Sequence, residues 1–169
     1  KTGSFGDFSA FSFQGAKLLV TGEGGMLCTN NEELYNRAYR IWDQGRIPGT
    51  FWIEEYGPKY KMSNIQAAFG LGQLERIDLM VEKKRQINKW YHERLKNINH
   101  IVFWEESTKV KSICWMTSIL LKKEAKILRE EFCKRLKNKK IDTRPVFPSI
   151  SQYPYWNTKQ KQQTNSALI

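Results

Sequence analysis

Phe8 to Asn31 reads FSAFSFQGAKLLVTGEGGMLCTNN, and this stretch organises the rest of the chain. Aromatic and small residues lead to a single lysine, Lys17. An apolar run, Leu18-Leu19-Val20, follows it, then the turn-forming Gly22-Glu23-Gly24-Gly25 and a second apolar run. Glycines at this spacing permit a tight reversal with positive φ. A lysine between Phe13 and Leu18 is expected to be partly desolvated, which disfavours the ammonium and frees the amine to trap an aldehyde as a Schiff base. The alternative is a surface lysine on a strand edge, its stem lying over apolar neighbours and its charge in water. The residues alone leave both open. Strand-like, largely apolar runs at about Phe8–Phe13 and Gly25–Thr29 predict strands buried on both faces of a mixed or parallel sheet.

Ser12, Phe13, Lys17, Thr21, Gly22, Glu23, Gly24 and Gly25 together resemble the cofactor-lysine segment of the DegT/DnrJ/StrS-type sugar-nucleotide aminotransferases. These are pyridoxal phosphate (PLP) enzymes of the aspartate-aminotransferase (type I) fold. The resemblance implies that Lys17 holds PLP covalently and that Ser12 places a hydroxyl near the PLP phosphate. A second segment, Gly57-Pro58-Lys59-Tyr60-Lys61-Met62-Ser63-Asn64, resembles the loop that in this family reaches across a dimer interface. Its third residue then approaches the neighbour's PLP phosphate. That residue is often Asn in relatives and is Lys59 here; an ammonium still binds a phosphate as a point charge. Other departures are Gln14, Gln44 and Pro148, at positions where relatives often carry an aromatic residue or a histidine.

The implied fold class is α/β, comprising the end of the large PLP-binding domain and most of the small C-terminal α/β domain. The expected divisions are residues 1–62 for the large domain, 63–98 for linking helices and 99–169 for an incomplete small domain. Lys1 is not an initiator Met and the chain ends in the apolar Ala167-Leu168-Ile169, so it reads as a piece of a longer polypeptide.

Composition bounds the function classes. The 169 residues are 40% hydrophobic and 13% aromatic, which describes a globular chain rather than a disordered one. Lys and Arg number 28 against 17 Asp and Glu, a net charge of +11. The basic residues are scattered over expected helix faces and no nucleic-acid signature accompanies them, so a nucleic-acid partner is not expected. No apolar run is long enough to cross a bilayer, and no membrane partner is expected. Cys28, Cys114 and Cys133 form neither a C-x-x-C pair nor an even framework, and His92 and His100 lack ligand spacing, so no metal site is expected. Cys28 and Cys114 read as core thiols in strands, in keeping with a cytoplasmic protein.

Along the chain, Asn30 is a candidate cap for a helix with Leu34, Ala38, Ile41 and Trp42 on one face, stopped by Gly45. Arg46–Tyr56 reads as a loop whose aromatics Phe51 and Trp52 suit a binding or subunit surface, or packing on the body of the protein. Ser63 and Gln66 predict a capping box. Ile77, Met80, Val81, Ile87, Tyr91, Leu95 and Ile98 predict a long amphipathic helix. Beyond it, strands are expected at Ile101–Trp104, Ser112–Leu121 and Ile141–Phe147, with a helix striped by Ala125, Leu128, Phe132 and Leu136. Residues 157–164 read as an exposed loop or helix start.

The resemblance spans nearly the whole chain, with its densest motifs before Asp78. The run Asp142-Thr143-Arg144-Pro145, with Phe147 and then Ser151 and Pro154, points to perosamine-synthase-like members. The function it implies is transamination of a nucleotide-linked keto-deoxy sugar, with L-glutamate as amino donor and a homodimer with shared active sites, in surface-polysaccharide or lipopolysaccharide synthesis. The carboxylate for the pyridine nitrogen is expected upstream of Lys1. Two rivals stand beside it: a regulatory or non-catalytic PLP-binding relative, and a basic nucleic-acid-binding module.

Overall fold

The computed structural model describes residues 1–156. They form two compact units: Lys1–Tyr91 with Thr108–Thr117, and His92–Ser107 with the residues from Ser118 onward. The segment 157–164, read above as a loop or helix start, lies outside the described residues.

The first unit opens with a hairpin. Strands β1 (Ser9–Ser12) and β2 (Gly25–Cys28) pair antiparallel, with Ser9 opposite Cys28 and Ser12 opposite Gly25. Their pairing extends into the connection, where the Phe13 N–H donates to Gly24 O at 2.9 Å. This corrects the expected mixed or parallel sheet buried on both faces: the sheet has two strands and both are largely exposed. An apolar run does not encode strand direction. The short connection does, because parallel pairing needs a crossover of a dozen or more residues, usually through a helix.

Helix α1 (Glu32–Trp42) starts at Asn31, whose side chain accepts from the Leu34 N–H at 3.0 Å, with Glu32 and Glu33 favourable in its first turn. The cap is thus one residue later than the sequence suggested. Leu34, Ala38 and Ile41 are half-buried and Trp42 is exposed. Gly45 does not end the helix by itself. Asp43 is the C-cap, Gln44 takes the left-handed conformation at φ 64°, and the Gly45 N–H donates to Arg40 O at 2.8 Å. This is the Schellman arrangement with glutamine at its left-handed position.

Helix α2 (Asn64–Leu74) carries the expected capping box. The Gln66 N–H donates to Ser63 Oγ at 3.3 Å, and the Ser63 N–H donates to Gln66 Oε1 at 3.1 Å. Helix α3 (Ile77–Leu95) half-buries Ile77, Met80, Val81, Ile87 and Leu95; Tyr91 and Ile98 of the expected stripe are exposed. The division between the two units falls within α3.

The second unit holds the antiparallel pair β3 (Ile101–Phe103) and β4 (Ile119–Leu121), with Val102 opposite Leu120. His92 stacks on Phe103 at 4.1 Å. Helix α4 (Arg129–Asn138) follows a 3₁₀ turn at Lys123–Ala125. Lys126 between them is left-handed at φ 50°, so Ala125 does not share the α4 face. Phe132 and Leu136 do line that helix half-buried, while Leu128 is exposed.

Two expected strands differ. Ser112–Leu121 is extended only at Ile119–Leu121, because Cys114 adopts φ 50° and turns the chain out of a ladder. Cys114 is therefore not a strand thiol; all three cysteines are free and half-buried. Ile141–Phe147 forms no strand, and Pro145 and Pro148 supply no N–H for one. Among the described residues no hydrophobic side chain is buried, and Phe51, Tyr56 and Ile65 are each more than four-fifths exposed. No described helix is long and apolar enough to cross a membrane.

Candidate functional site

The connection between β1 and β2 displays Lys17, and its shape is set by side chains on both sides of the lysine. Ser12 Oγ accepts from the Gln14 N–H at 3.4 Å, and Gln14 Oε1 accepts from the Ala16 N–H at 2.9 Å. The Lys17 N–H closes a turn onto Gln14 O at 2.9 Å. After the lysine, Gln73 of α2 clamps the main chain of Val20. Its Oε1 accepts from the Val20 N–H at 3.1 Å and its Nε2 donates to Val20 O at 2.6 Å. The Thr21 N–H then returns to Phe13 O at 2.8 Å and closes the loop at its base.

Thr21 is one of two buried polar residues found among the described ones. Its hydroxyl donates to Glu23 O at 2.7 Å, and its methyl lies where a side chain on Gly70 would sit. Gly24, at φ 134°, has no room for a Cβ between Thr21 Oγ1 and Met62 Cε. Gln66 Nε2 donates to Glu23 O at 3.1 Å. The T-G-E-G-G run is thus wedged against α2, and the wedge fixes where the lysine loop emerges.

Lys17 itself is exposed. The desolvation expected from its apolar neighbours is not supplied by the described residues, because Leu18, Leu19 and Val20 turn inward while Lys17 sits at the outer turn. Its ammonium lies 4.6 Å from the centre of the Trp115 ring, and Trp115 Nε1 donates to Ala16 O at 2.8 Å. No ion pair engages Lys17 among the described residues.

Lys59 lies elsewhere in the same unit. It lines an open groove of about 210 Å³ with Glu23, Gly24, Gly25, Tyr60, Lys61, Met62 and Gln66. Ser12, at the end of β1, stands opposite Gly25 of this groove, and Lys17 is not among the groove's lining residues. Lys61, two residues on in the motif, pairs with the buried carboxylate of Asp43 and lies 4.8 Å over the Trp42 ring. Asp43 is 8% exposed, and burial of a carboxylate requires such a partner. The pairing holds Lys61 in place, and Lys59 has no ion pair among the described residues. The site supports Asp43, Gln73 and Trp115 were not singled out by sequence reasoning. Only Asp43 left a trace, as a carboxylate next to an apolar helix face.

The loop after α1 is held by charge. Arg37 and Arg40 both pair with Glu55, and Arg40 also reaches Glu54 at 3.1 Å. The hydrogen bond from Arg37 holds the Glu55 carboxyl below its ordinary value, against a smaller opposing effect of partial desolvation.

The donor set suits a PLP-type group at two of its ends. An unpaired primary amine fits a carbonyl. The Ser12 hydroxyl accepts from a backbone N–H, and its own proton remains available to a phosphate oxygen.

Residues 1–168 match the DegT/DnrJ/EryC1/StrS aminotransferase family. The chain is 42% identical over 159 residues to the GDP-perosamine synthase of Escherichia coli O157:H7, covering 93% of this chain and 42% of that protein. Among solved structures it superposes on Helicobacter pylori PseC, an aminotransferase involved in the biosynthesis of pseudoaminic acid, with a TM-score of 0.87 and 24% identity over 99% of this chain and 47% of the other. It also superposes on an E. coli GDP-4-keto-6-deoxy-D-mannose-3-dehydratase with bound hydrated PLP, with a TM-score of 0.75 and 20% identity over 86% and 42% of the two chains. The chain spans about two-fifths of the length of the curated relative, and its architecture corresponds to that part of the PLP-dependent sugar-aminotransferase fold. The spacing around Lys17 and the loop built on it thus have the same explanation: the chain belongs to the DegT/DnrJ/EryC1/StrS aminotransferase family.

Proposed function

We propose that the protein transfers an amino group from L-glutamate to a nucleotide-linked keto-deoxy sugar, with PLP held on Lys17. The observation that carries this reading is the presentation of Lys17: an exposed, unpaired amine on a loop whose main chain is fixed at Gln14, Ala16 and Val20. When bound, PLP supplies an electron sink for the carbon being deprotonated. Lys17 Nζ would hold the cofactor covalently and, when free, would hold and move the proton as general acid and base. Ser12 Oγ–H would donate to the phosphate. Lys59 would serve the phosphate of a second subunit's cofactor as a point charge. Exposed Phe51, Trp52 and Tyr56 supply apolar area for that homodimer. The likeness to a GDP-perosamine synthase supports a GDP-linked sugar as substrate; a 4-keto-6-deoxyhexose and cytoplasmic synthesis of surface polysaccharide such as lipopolysaccharide complete the proposal.

Borohydride trapping on the full-length protein tests this. PLP is expected on the peptide containing Lys17 and is lost in Lys17→Ala. Lys59→Ala retains that linkage but releases cofactor faster on dialysis. PLP trapped on a different lysine would refute the assignment. Bleaching of the cofactor band by glutamate separates a transaminase from a regulatory, non-catalytic relative, which would leave the band unchanged.

A further inference from the structure

We propose that Trp115 is a positioning residue for Lys17: its indole N–H fixes the carbonyl before the lysine, and its ring face seats the ammonium whenever that amine is free. This rests on the reading of Lys17 given above and extends it to a residue far along the chain.

Both contacts converge on one short turn. Trp115 Nε1 donates to Ala16 O at 2.8 Å, and Lys17 Nζ lies 4.6 Å from the centre of the same ring. Both distances are within the range of productive interactions of their kinds. The indole therefore holds the lysine at two points, its main chain and its tip.

The segment bearing Trp115 is built to make this approach. Arg85 of α3 donates through Nη1 to Ser112 O. Ser112 Oγ accepts from the Cys114 N–H at 3.0 Å. Cys114 itself is left-handed at φ 50°, a conformation disfavoured for a residue with a Cβ. That turn breaks an otherwise strand-like run and directs Trp115 to the lysine loop. The strain is maintained where an extended strand would have been the easier local choice.

The chemistry follows from the seat. A lysine that alternates between a covalent bond and a free amine needs a defined resting place for the free form. A carboxylate there would form a strong ion pair and hold the amine away from the reacting carbon. An aromatic face attracts the ammonium more weakly, at a strength that slows other reactions of the amine about two- to fivefold at an exposed site. The amine is thereby kept near its place of use and remains easy to release.

The test uses the full-length protein stripped of cofactor, labelled with limiting acetic anhydride. The labelling rate at Lys17 is read by peptide mass spectrometry, with Lys59 as the internal reference. Trp115→Leu is expected to raise the rate at Lys17 about two- to fivefold. Trp115→Phe keeps the ring face and is expected to stay close to the unaltered protein. An unchanged rate in Trp115→Leu, or an equal rise in Trp115→Phe, would overturn the seat. In the loaded protein Trp115→Leu should lower kcat and leave KM for the sugar nucleotide unchanged; a change in KM alone would instead make Trp115 a substrate-binding residue. Labelling needs no cofactor, so its failure refutes the role of Trp115, whereas PLP trapped away from Lys17 refutes the proposed function.

Discussion

Gly70→Ala sets two effects of opposite sign against each other. Gly70 lies in the interior of α2, where replacing glycine by alanine ordinarily stabilises a helix by about 1 kcal/mol. Its Cβ, however, would stand 2.8 Å from Thr21 Cγ2. Relief requires Thr21 to move, and Thr21 is tied. It is 6% exposed, its hydroxyl donates to Glu23 O, and its N–H donates to Phe13 O. Overpacking at such a site costs about 1–3 kcal/mol, which exceeds the helical gain. Gly70→Ala should therefore lower the urea midpoint of the full-length protein, by a net of about 1 kcal/mol. The Thr21→Ser background keeps the hydroxyl and deletes the obstructing methyl. In that background Gly70→Ala should become neutral or stabilising, giving a coupling of about 1–3 kcal/mol between the two positions. The same wedge positions the Lys17 loop, so Gly70→Ala should also reduce PLP trapping on Lys17, and Thr21→Ser should restore it. A Gly70→Ala protein more stable than the parent, by the same margin in both backgrounds, would refute the wedge.

Gly45→Ala should destabilise by about 2–4 kcal/mol, read as a lower unfolding midpoint, because Gly45 holds φ 68° and its Cβ would fall 1.8 Å from the backbone oxygen of Glu55; a midpoint within error of the parent would contradict this packing. Glu55 predicts a pH dependence. Its carboxyl titrates below the ordinary 4.5 because Arg37 donates a hydrogen bond to the charged form. A depressed folded value means its contribution is fully present above the unfolded value and disappears as pH falls through the folded one. The melting-temperature gap between the parent and Glu55→Gln should hold steady down to about pH 5, close below the ordinary carboxylate range, and shrink in high salt. A gap that persists unchanged at about pH 2 would show that charge is not its origin.

The features that could be read from the sequence are those whose physics is local. Ser63 and Gln66 lie within one helical turn, so their box could be read directly, and the α1 cap read at Asn30 falls only one position away, at Asn31. The half-buried stripes of α1 and α3 follow from periodicity, which the backbone geometry imposes. The motif around Lys17 singled out Ser12 and Lys17, and the segment Gly57–Asn64 singled out Lys59, because dense short-range spacing carries a resemblance well.

The supports of those residues were hidden because they are contacts between distant segments. Gln73 reaches Val20 across 53 residues, and Trp115 reaches Ala16 across 99. Nothing in the local run KSICWMTS distinguishes a strand from a turn, and its β-forming residues favoured the strand. Tertiary contact chose otherwise, through Arg85 at Ser112 and a left-handed Cys114. The pairing of β1 with β2 shows the same division. Their apolar character was plain from composition, but direction depends on how the chain returns, and exposure depends on what packs against each face. Residue chemistry alone determined that a lysine loop exists; only the folded chain decided that an indole faces it, since cation–π and backbone hydrogen bonds need geometry that sequence order does not contain.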